Sequence, residues 1–155
     1  MISFFVSGTP KPQPRPRAFV RGGHAGVYDC GTANEWKYLV AARVRETIGA
    51  LTEASPTLAD KPIALYIDLF LPRPKSHYYQ TKSRNGQLRE TAPMWHTSKP
   101  DADNFAKAIM DALGDSHLVW TDDAQVCFLQ TTKQYANTPD KIGARVSIDV
   151  MPKGE

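Results

Sequence analysis

Ile63-Ala64-Leu65-Tyr66-Ile67-Asp68-Leu69-Phe70-Leu71 alternates without a break: Ile63, Leu65, Ile67, Leu69 and Leu71 share one side of an extended chain, and Ala64, Tyr66, Asp68 and Phe70 share the other. A period of two over this length predicts a β-strand. Apolar residues on both sides predict that it is covered on both faces.

Outward from that strand the period changes. Toward the C-terminus, Phe105, Ala108, Ile109, Ala112 and Leu113 recur at i, i+3, i+4, i+7 and i+8, an amphipathic helix that Gly114 is expected to end. Residues 126–135 read as a strand, and Ile142, Ala144, Val146, Ile148 and Val150 alternate as a last one. Toward the N-terminus, residues 52–61 read as a linker with Pro56 and with Pro62 just beyond it. Before it, Trp36, Leu39, Val40, Val44, Ile48 and Leu51 follow helical spacing. Thr32-Ala33-Asn34-Glu35 reads as a capping box in front of that helix, with the Glu35 amide donating to the Thr32 hydroxyl. Residues 2–6 are a short apolar run, a first strand. Strand, helix, strand, long loop, helix, strand, strand is a mixed α/β (α+β) single domain over residues 1–155, with a sheet of about four strands packed with two main helices.

Composition agrees. The 155 residues are 41% hydrophobic and 23% charged, which supports a packed core and excludes wholesale disorder. No apolar run reaches the roughly 18 residues a spanning helix needs. Met1–Val6 has no charged flank and runs into Gly8-Thr9-Pro10, so it reads as a strand rather than a targeting segment, and a cytoplasmic location is expected. Cys30 and Cys127 read as free thiols, and no Cys/His spacing suggests zinc.

The charges are unevenly placed. Segment 8–31 carries Lys11, Arg15, Arg17 and Arg21 against Asp29, and its Pro10, Pro12, Pro14 and Pro16 predict an extended, helix-free path. Segment 72–99 carries Arg73, Lys75, Lys82, Arg84, Arg89 and Lys99 against Glu90, interleaved with His77, Tyr78, Tyr79, Trp95 and His96. A basic loop dotted with aromatic rings suits a nucleic-acid strand, although rings in such a loop also serve to shield a core. Segment 101–123 is the reverse: Asp101, Asp103, Asp111, Asp115, Asp122 and Asp123 against Lys107. Basic surface attracts polyanions, and gathered carboxylates repel them unless a cation lies between. An ordinary protein with uneven charge shows the same totals, so residue spacing has to decide.

In Lys99-Pro100-Asp101-Ala102-Asp103-Asn104-Phe105-Ala106-Lys107, Pro100 keeps Lys99 out of a helix, so Asp101 and Asp103 stand where the helix starts. Asp103, Lys107 and Asp111 fall opposite the apolar stripe, with Lys107 one turn beyond Asp103. Asp122 and Asp123 open the next strand. If it packs beside the helix, two carboxylate pairs converge. Like charges that close raise each other's pKa, so convergence needs a cause. Mg²⁺ supplies one: a hard cation that takes carboxylate oxygens and water, polarises a phosphoryl oxygen and acidifies a bound water. An EF-hand does not fit, because Phe105 stands where a ligand is needed. A helix N-cap accounts for one Asp of the set and not for the rest. Trp36 and Trp120 read as core.

Pro100-Asp101-Ala102-Asp103-Asn104, then Lys107, then Asp111-Ala112-Leu113, then Trp120-Thr121-Asp122-Asp123-Ala124-Gln125-Val126 resembles the RusA family of Holliday junction resolvases in order and spacing. Lys11-Pro12-Gln13-Pro14-Arg15-Pro16-Arg17 is similar to the basic segment of the family's phage-type branch. The resemblance implies a homodimeric, Mg²⁺-dependent endodeoxyribonuclease, with Mn²⁺ as a substitute, that cuts four-way DNA junctions by paired symmetric nicks in a bacterial cell carrying a phage or prophage. It implies Asp101, Asp103 and Asp123 as metal-binding catalytic carboxylates, Asp122 as the lesser candidate, and Lys107 as the catalytic lysine. Lys11, Arg15, Arg17, Arg21, Arg73, Lys75 and Lys99 are the expected DNA-binding residues. The alternative is a non-catalytic branched-DNA-binding protein of the same fold. An Asp-x-Asp enzyme using a nucleotide-sugar would need a larger domain.

Overall fold

Along the chain come β1 (Ile2–Ser7), β2 (Arg17–Arg21), β3 (His24–Tyr28), α1 (Asn34–Gly49), β4 (Ile63–Leu71), α2 (Ala102–Asp115), β5 (Val126–Tyr135) and β6 (Gly143–Val150). The computed structural model describes residues 1–51, 58, 60–152 and 154, so most of the expected 52–61 linker, Pro56 included, lies outside the described residues. Four strands form one mixed sheet in the order β1-β6-β4-β5. β4 pairs antiparallel with β6 and parallel with β5, and β1 pairs antiparallel with β6. The parallel pair requires a long crossover, which segment 72–99 and α2 provide.

Both helices pack on one face of the sheet. Ile63, Leu65, Ile67, Leu69 and Leu71 of β4 meet Trp36, Val40 and Val44 of α1 and Phe105, Ile109 and Leu113 of α2 in one buried core. Burying each of Phe105, Ile109 and Leu113 stabilises the fold by about 1.5–3 kcal/mol. The apolar stripe of α2 is buried as its spacing predicts, and Trp36 and Trp120 are core residues. The expected cover on both sides of β4 is not observed. Tyr66, Asp68 and Phe70 are only half-buried, with strand neighbours beside them instead of a helix: Phe70 tilts against Phe5 and Tyr66 against Phe128. Asp68 sits on this open face and accepts a bond from the Thr132 hydroxyl at 2.6 Å. Gly143 lets β1 approach β6, because a Cβ there would strike the Val6 carbonyl.

Four local expectations are corrected. Segment 8–31 is extended through its prolines but then folds into the β2–β3 hairpin. Gly22 and Gly23 both take positive φ, the backbone a two-residue hairpin turn demands. Helix α1 starts at Asn34 behind Ala33, with no side-chain cap, so the Thr32–Glu35 box does not form. The preceding turn is instead tied by Asp29, whose Oδ1 accepts from the Gly31 amide, and by the Asn34 amide donating to the Gly31 carbonyl. The core stripe of α1 is the i+4 row Trp36, Val40, Val44, which leaves Leu39 and Leu51 largely exposed. Helix α2 runs past Gly114 to Asp115, and the left-handed residue that follows is His117.

Candidate active site

Two carboxylates, Asp101 and Asp103, stand at the start of α2. Asp101 is the N-cap residue in an extended conformation, yet its carboxylate caps no helix amide. The simple capping role of an Asp at this position is therefore not what it does. Asp103 is exposed in the first turn and accepts from the Asn104 amide at 2.9 Å through one oxygen. The positive end of the helix dipole favours negative charge here. Lys107 follows one turn on, with its ammonium a loose 3.5 Å from Asp111 Oδ1. Asp111 is held more closely by Lys37 of α1, at 3.2 Å.

Two contacts fix this corner, and the residue pattern had disclosed neither. Lys133, near the end of β5, donates its ammonium to the carbonyls of Ser98 at 2.7 Å and Pro100 at 2.6 Å, clamping the turn before Asp101. The Gln13 amide donates to the Asn104 carbonyl at 2.8 Å, which fastens the basic N-terminal segment to the first turn of α2. The Gln13 side-chain amide also donates to Asp29 Oδ2. A Lys inside an otherwise uncharged strand and a Gln among prolines were the available signals.

Asp122 and Asp123 divide their work. Asp122 caps a short 3-10 turn over Asp123–Gln125, its Oδ1 accepting from the Ala124 amide at 2.7 Å. Gln125 closes the unit: its Oε1 accepts from the Thr121 amide and hydroxyl and the Asp122 amide, and its Nε2 donates to the carbonyls of Leu58 and Lys61. Asp123 is aimed by Trp120, whose indole N–H donates to Asp123 Oδ1 at 2.7 Å. A Cβ on Gly114 would stand 3.0 Å from the same oxygen, so the glycine makes room for this carboxylate.

That contact locates Asp123 at the C-terminal end of α2, while Asp101 and Asp103 stand at its N-terminal end. About 16 Å of helix lies between Asp103 and Gly114. The expected meeting of both carboxylate pairs does not occur within one chain. Among the described residues no group of three or more His, Cys, Asp or Glu side chains is placed to hold one ion. The cause is the compact turn between Asp115 and Asp122, which holds Asp123 against Trp120 and Gly114, so that β5 starts where α2 ends and runs back along it to Lys133 beside Pro100. A pair of carboxylates with free oxygens does suit Mg²⁺, which is commonly held by one or two carboxylates with water and substrate phosphate completing its shell.

The basic residues fall into two groups. Lys11, Arg15, Arg17, Arg21, Lys75 and Lys99 are exposed and make no salt bridge among the described residues. Arg73 is half-buried and engaged: Nε donates to the Ala136 carbonyl at 3.0 Å, Nη1 donates to the Pro93 carbonyl at 2.7 Å, and the guanidinium lies over the Tyr135 ring. It holds segment 72–99 rather than projecting from it. Within that segment Arg84 covers the Tyr79 ring, and the Tyr79 hydroxyl and Arg84 both donate to Glu90. Those bonds hold the Glu90 carboxyl down at about 2.

The family profile of endodeoxyribonuclease RusA matches residues 7–150 of the chain. A curated relative, the uncharacterized protein YqaN of Bacillus subtilis (strain 168), is 32% identical over 138 residues, an alignment that covers 89% of this chain and 90% of the relative.

Proposed function

Since the chain belongs to the RusA endodeoxyribonuclease family, we propose that it is a Mg²⁺-dependent, structure-selective nuclease that resolves four-way DNA junctions as a homodimer by paired symmetric nicks. The observation that carries this reading is the corner where α2 begins: Asp101 caps no helix amide, Asp103 uses only one oxygen on the Asn104 amide, and the Asn104 carbonyl is bonded to the basic segment through Gln13. Carboxylates for a cation thus stand where the arginine-bearing segment is fastened to α2.

Asp101 and Asp103 would hold the ion, and Asp123 would complete its shell. A divalent ion there polarises a phosphoryl oxygen and lowers the pKa of a water. Lys107 offsets the negative charge that builds on the phosphoryl oxygens during displacement. Lys11, Arg15, Arg17 and Arg21 track the backbone leading away from the cut, and Lys75 and Lys99 do so from segment 72–99. The helix length that separates Asp123 from Asp103 within one chain favours a site shared between copies, in which Asp123 of one chain faces Asp101 and Asp103 of another. A two-fold axis then produces two such sites, as paired nicks in a junction of approximate two-fold symmetry require.

The test compares a four-way junction, a flap and a linear duplex, with and without Mg²⁺ or Mn²⁺. Cleavage of the junction at symmetric positions, dependent on the metal and lost in Asp103→Asn while binding survives, is the expected outcome. A wild-type chain that binds branched DNA and cuts none of the substrates with either metal is the non-catalytic binding protein instead.

A further inference from the structure

Beyond the C-terminal ends of the parallel pair β4 and β5 lies a cavity of about 490 Å³. Ligands in α/β sheets favour this end of the strands, and the volume falls within the roughly 300–1,000 Å³ of small-molecule sites. The lining comes from Pro72 and Arg73 after β4, Asn137 and Pro139 after β5, and Ile142 before β6. Segment 72–99 adds Tyr78, which is half-buried. Bonds within the chain already hold these parts in place. Arg73 joins two of them, with Nε donating to the Ala136 carbonyl and Nη1 to the Pro93 carbonyl. The Ala136 amide donates to the Leu71 carbonyl, and the Arg89 amide donates to the His77 carbonyl just before Tyr78. Polar capacity is left over. Arg73 Nη2, the Tyr78 hydroxyl and the whole Asn137 side-chain amide make no hydrogen bond among the described residues.

We infer that this cavity takes one unstacked nucleobase of the DNA strand being cut. A base has two apolar faces and an edge of donors and acceptors. Pro72, Tyr78, Pro139 and Ile142 suit the faces, and the Asn137 amide carries both a donor and an acceptor for the edge. Charge agrees: Arg73 is the charged residue of the lining, and no carboxylate is present there among the described residues to repel the phosphate of the same nucleotide. Position ties the cavity to the cut. Lys133 of β5 holds the Ser98 and Pro100 carbonyls before Asp101, and Ala136 follows three residues later, about 10 Å along the chain. At about 3.4 Å per nucleotide, the base lies within roughly three nucleotides of a phosphate at Asp101 and Asp103. Bases leave the stack with least cost where pairing is already interrupted, as at a branch point. The cavity therefore selects which base stands near the cut. In that link to cleavage the inference rests on the proposed nuclease reading, whereas the fit to a base is read from the cavity.

The test is a coupling cycle between base and side chain, read as binding of the full chain to a four-way junction without divalent metal. Single abasic residues replace, one at a time, the three bases on either side of the branch. One position should weaken wild-type binding by roughly five- to a hundredfold, the scale of one stacked base. Asn137→Ala and Tyr78→Leu should bind the intact junction less tightly and lose little more at that position. Asn137 is exposed, so Asn137→Ala keeps the test open if circular dichroism shows that Tyr78→Leu does not fold. In Mg²⁺, Asn137→Ala should also flatten any preference of cleavage among the four bases at the coupled position. A series with no sensitive position, or a loss equal in the wild type and in every folded variant, overturns the inference. A wild type that cuts the junction with no coupled position keeps the nuclease and loses the cavity. A coupled position in a chain that cuts nothing keeps the cavity and loses the nuclease, and a chain that binds no junction loses both.

Discussion

The ammonium of Lys133 and the carbonyl of Pro100 are 2.6 Å apart, joining the end of β5 to the turn from which Asp101 and α2 emerge. A second bond, to the Ser98 carbonyl, makes the contact a clamp. Bonds from a charged donor each contribute about 1.5–3 kcal/mol, and removing the donor leaves two carbonyls to find water. Lys133→Met should therefore destabilise the protein by about 2–4 kcal/mol in urea denaturation. It should also raise the Mg²⁺ concentration needed for half-maximal cleavage, with Lys133→Arg recovering part of both losses. An unchanged Mg²⁺ requirement would confine Lys133 to stability.

Lys133 also bears on His96. Burial first, and the nearby Lys133 charge second, hold the His96 imidazole below its ordinary value. A lowered histidine is neutral in the folded state at a pH where the unfolded chain is already protonated. Its folded environment costs nothing above the unfolded pKa of about 6.5, and the penalty grows as the pH falls toward the lower folded value. Stability should therefore decline on acidification below about pH 6.5, and His96→Gln should flatten that part of the profile. An equally steep profile in the variant would remove His96 as its source.

Asp122 and Asp123 are neighbours with different duties, and substitutions should separate them. Asp122 accepts from the Ala124 amide in a capping box, so Asp122→Ala should lower stability by about 0.5–2 kcal/mol and leave most cleavage intact. Asp123→Asn keeps an oxygen for the Trp120 indole, so it should fold as well as the wild type and lose cleavage. The reverse pattern would exchange their roles.

Much of this was legible from residue order. Strict alternation fixed β4 and β6, and the i, i+3, i+4 pattern fixed the buried face of α2, because periodicity records which side of an element meets the core. The carboxylates were equally visible as residue types. Their disposition was not, since it depends on which end of α2 the next strand starts from. The link from Asp115 to Asp122 does not decide it, because fully extended it could span the helix; it is its compact turn, with His117 in left-handed backbone and Trp120 buried, that leaves Asp123 beside Gly114. Gly22-Gly23 announced a hairpin that the preceding prolines obscured. The Thr32 box failed for a different reason. Asp29 and Gly31 tie the turn before α1 by their own bonds, and no hydroxyl cap is required. Contacts such as Lys133 with Pro100 join residues far apart in the chain and leave no local pattern.

The basic segment should contribute through phosphates. Arg15 and Arg17 are exposed and unpaired among the described residues, just beyond the Gln13 contact with α2. Each phosphate neutralised releases counterions, so the double variant Arg15→Ala, Arg17→Ala should reduce the slope of log affinity against log salt by about 2 on junction DNA. Affinity for duplex should fall in parallel, since phosphate contacts carry little sequence or shape information. An unchanged slope removes these arginines from the interface.

Copies with different lesions provide the sharpest distinction between a site within a chain and a site between chains. Asp103→Asn and Asp123→Asn should each be inactive alone. If one chain supplies Asp101 and Asp103 and the other supplies Asp123, a mixed dimer has one intact site and one that carries both lesions. Unfolding and refolding the two variants together in equal amounts should restore about a quarter of the wild-type sites by random assortment. Because each active mixed dimer has a single site, the product should be nicked junction instead of resolved duplexes, visible on a native gel beside the wild type. A site built within one chain predicts no recovery, since both chains of the mixed dimer would then be damaged. Recovery of nicking would therefore confirm at once that Asp103 and Asp123 work on the same ion and that they arrive there from different copies.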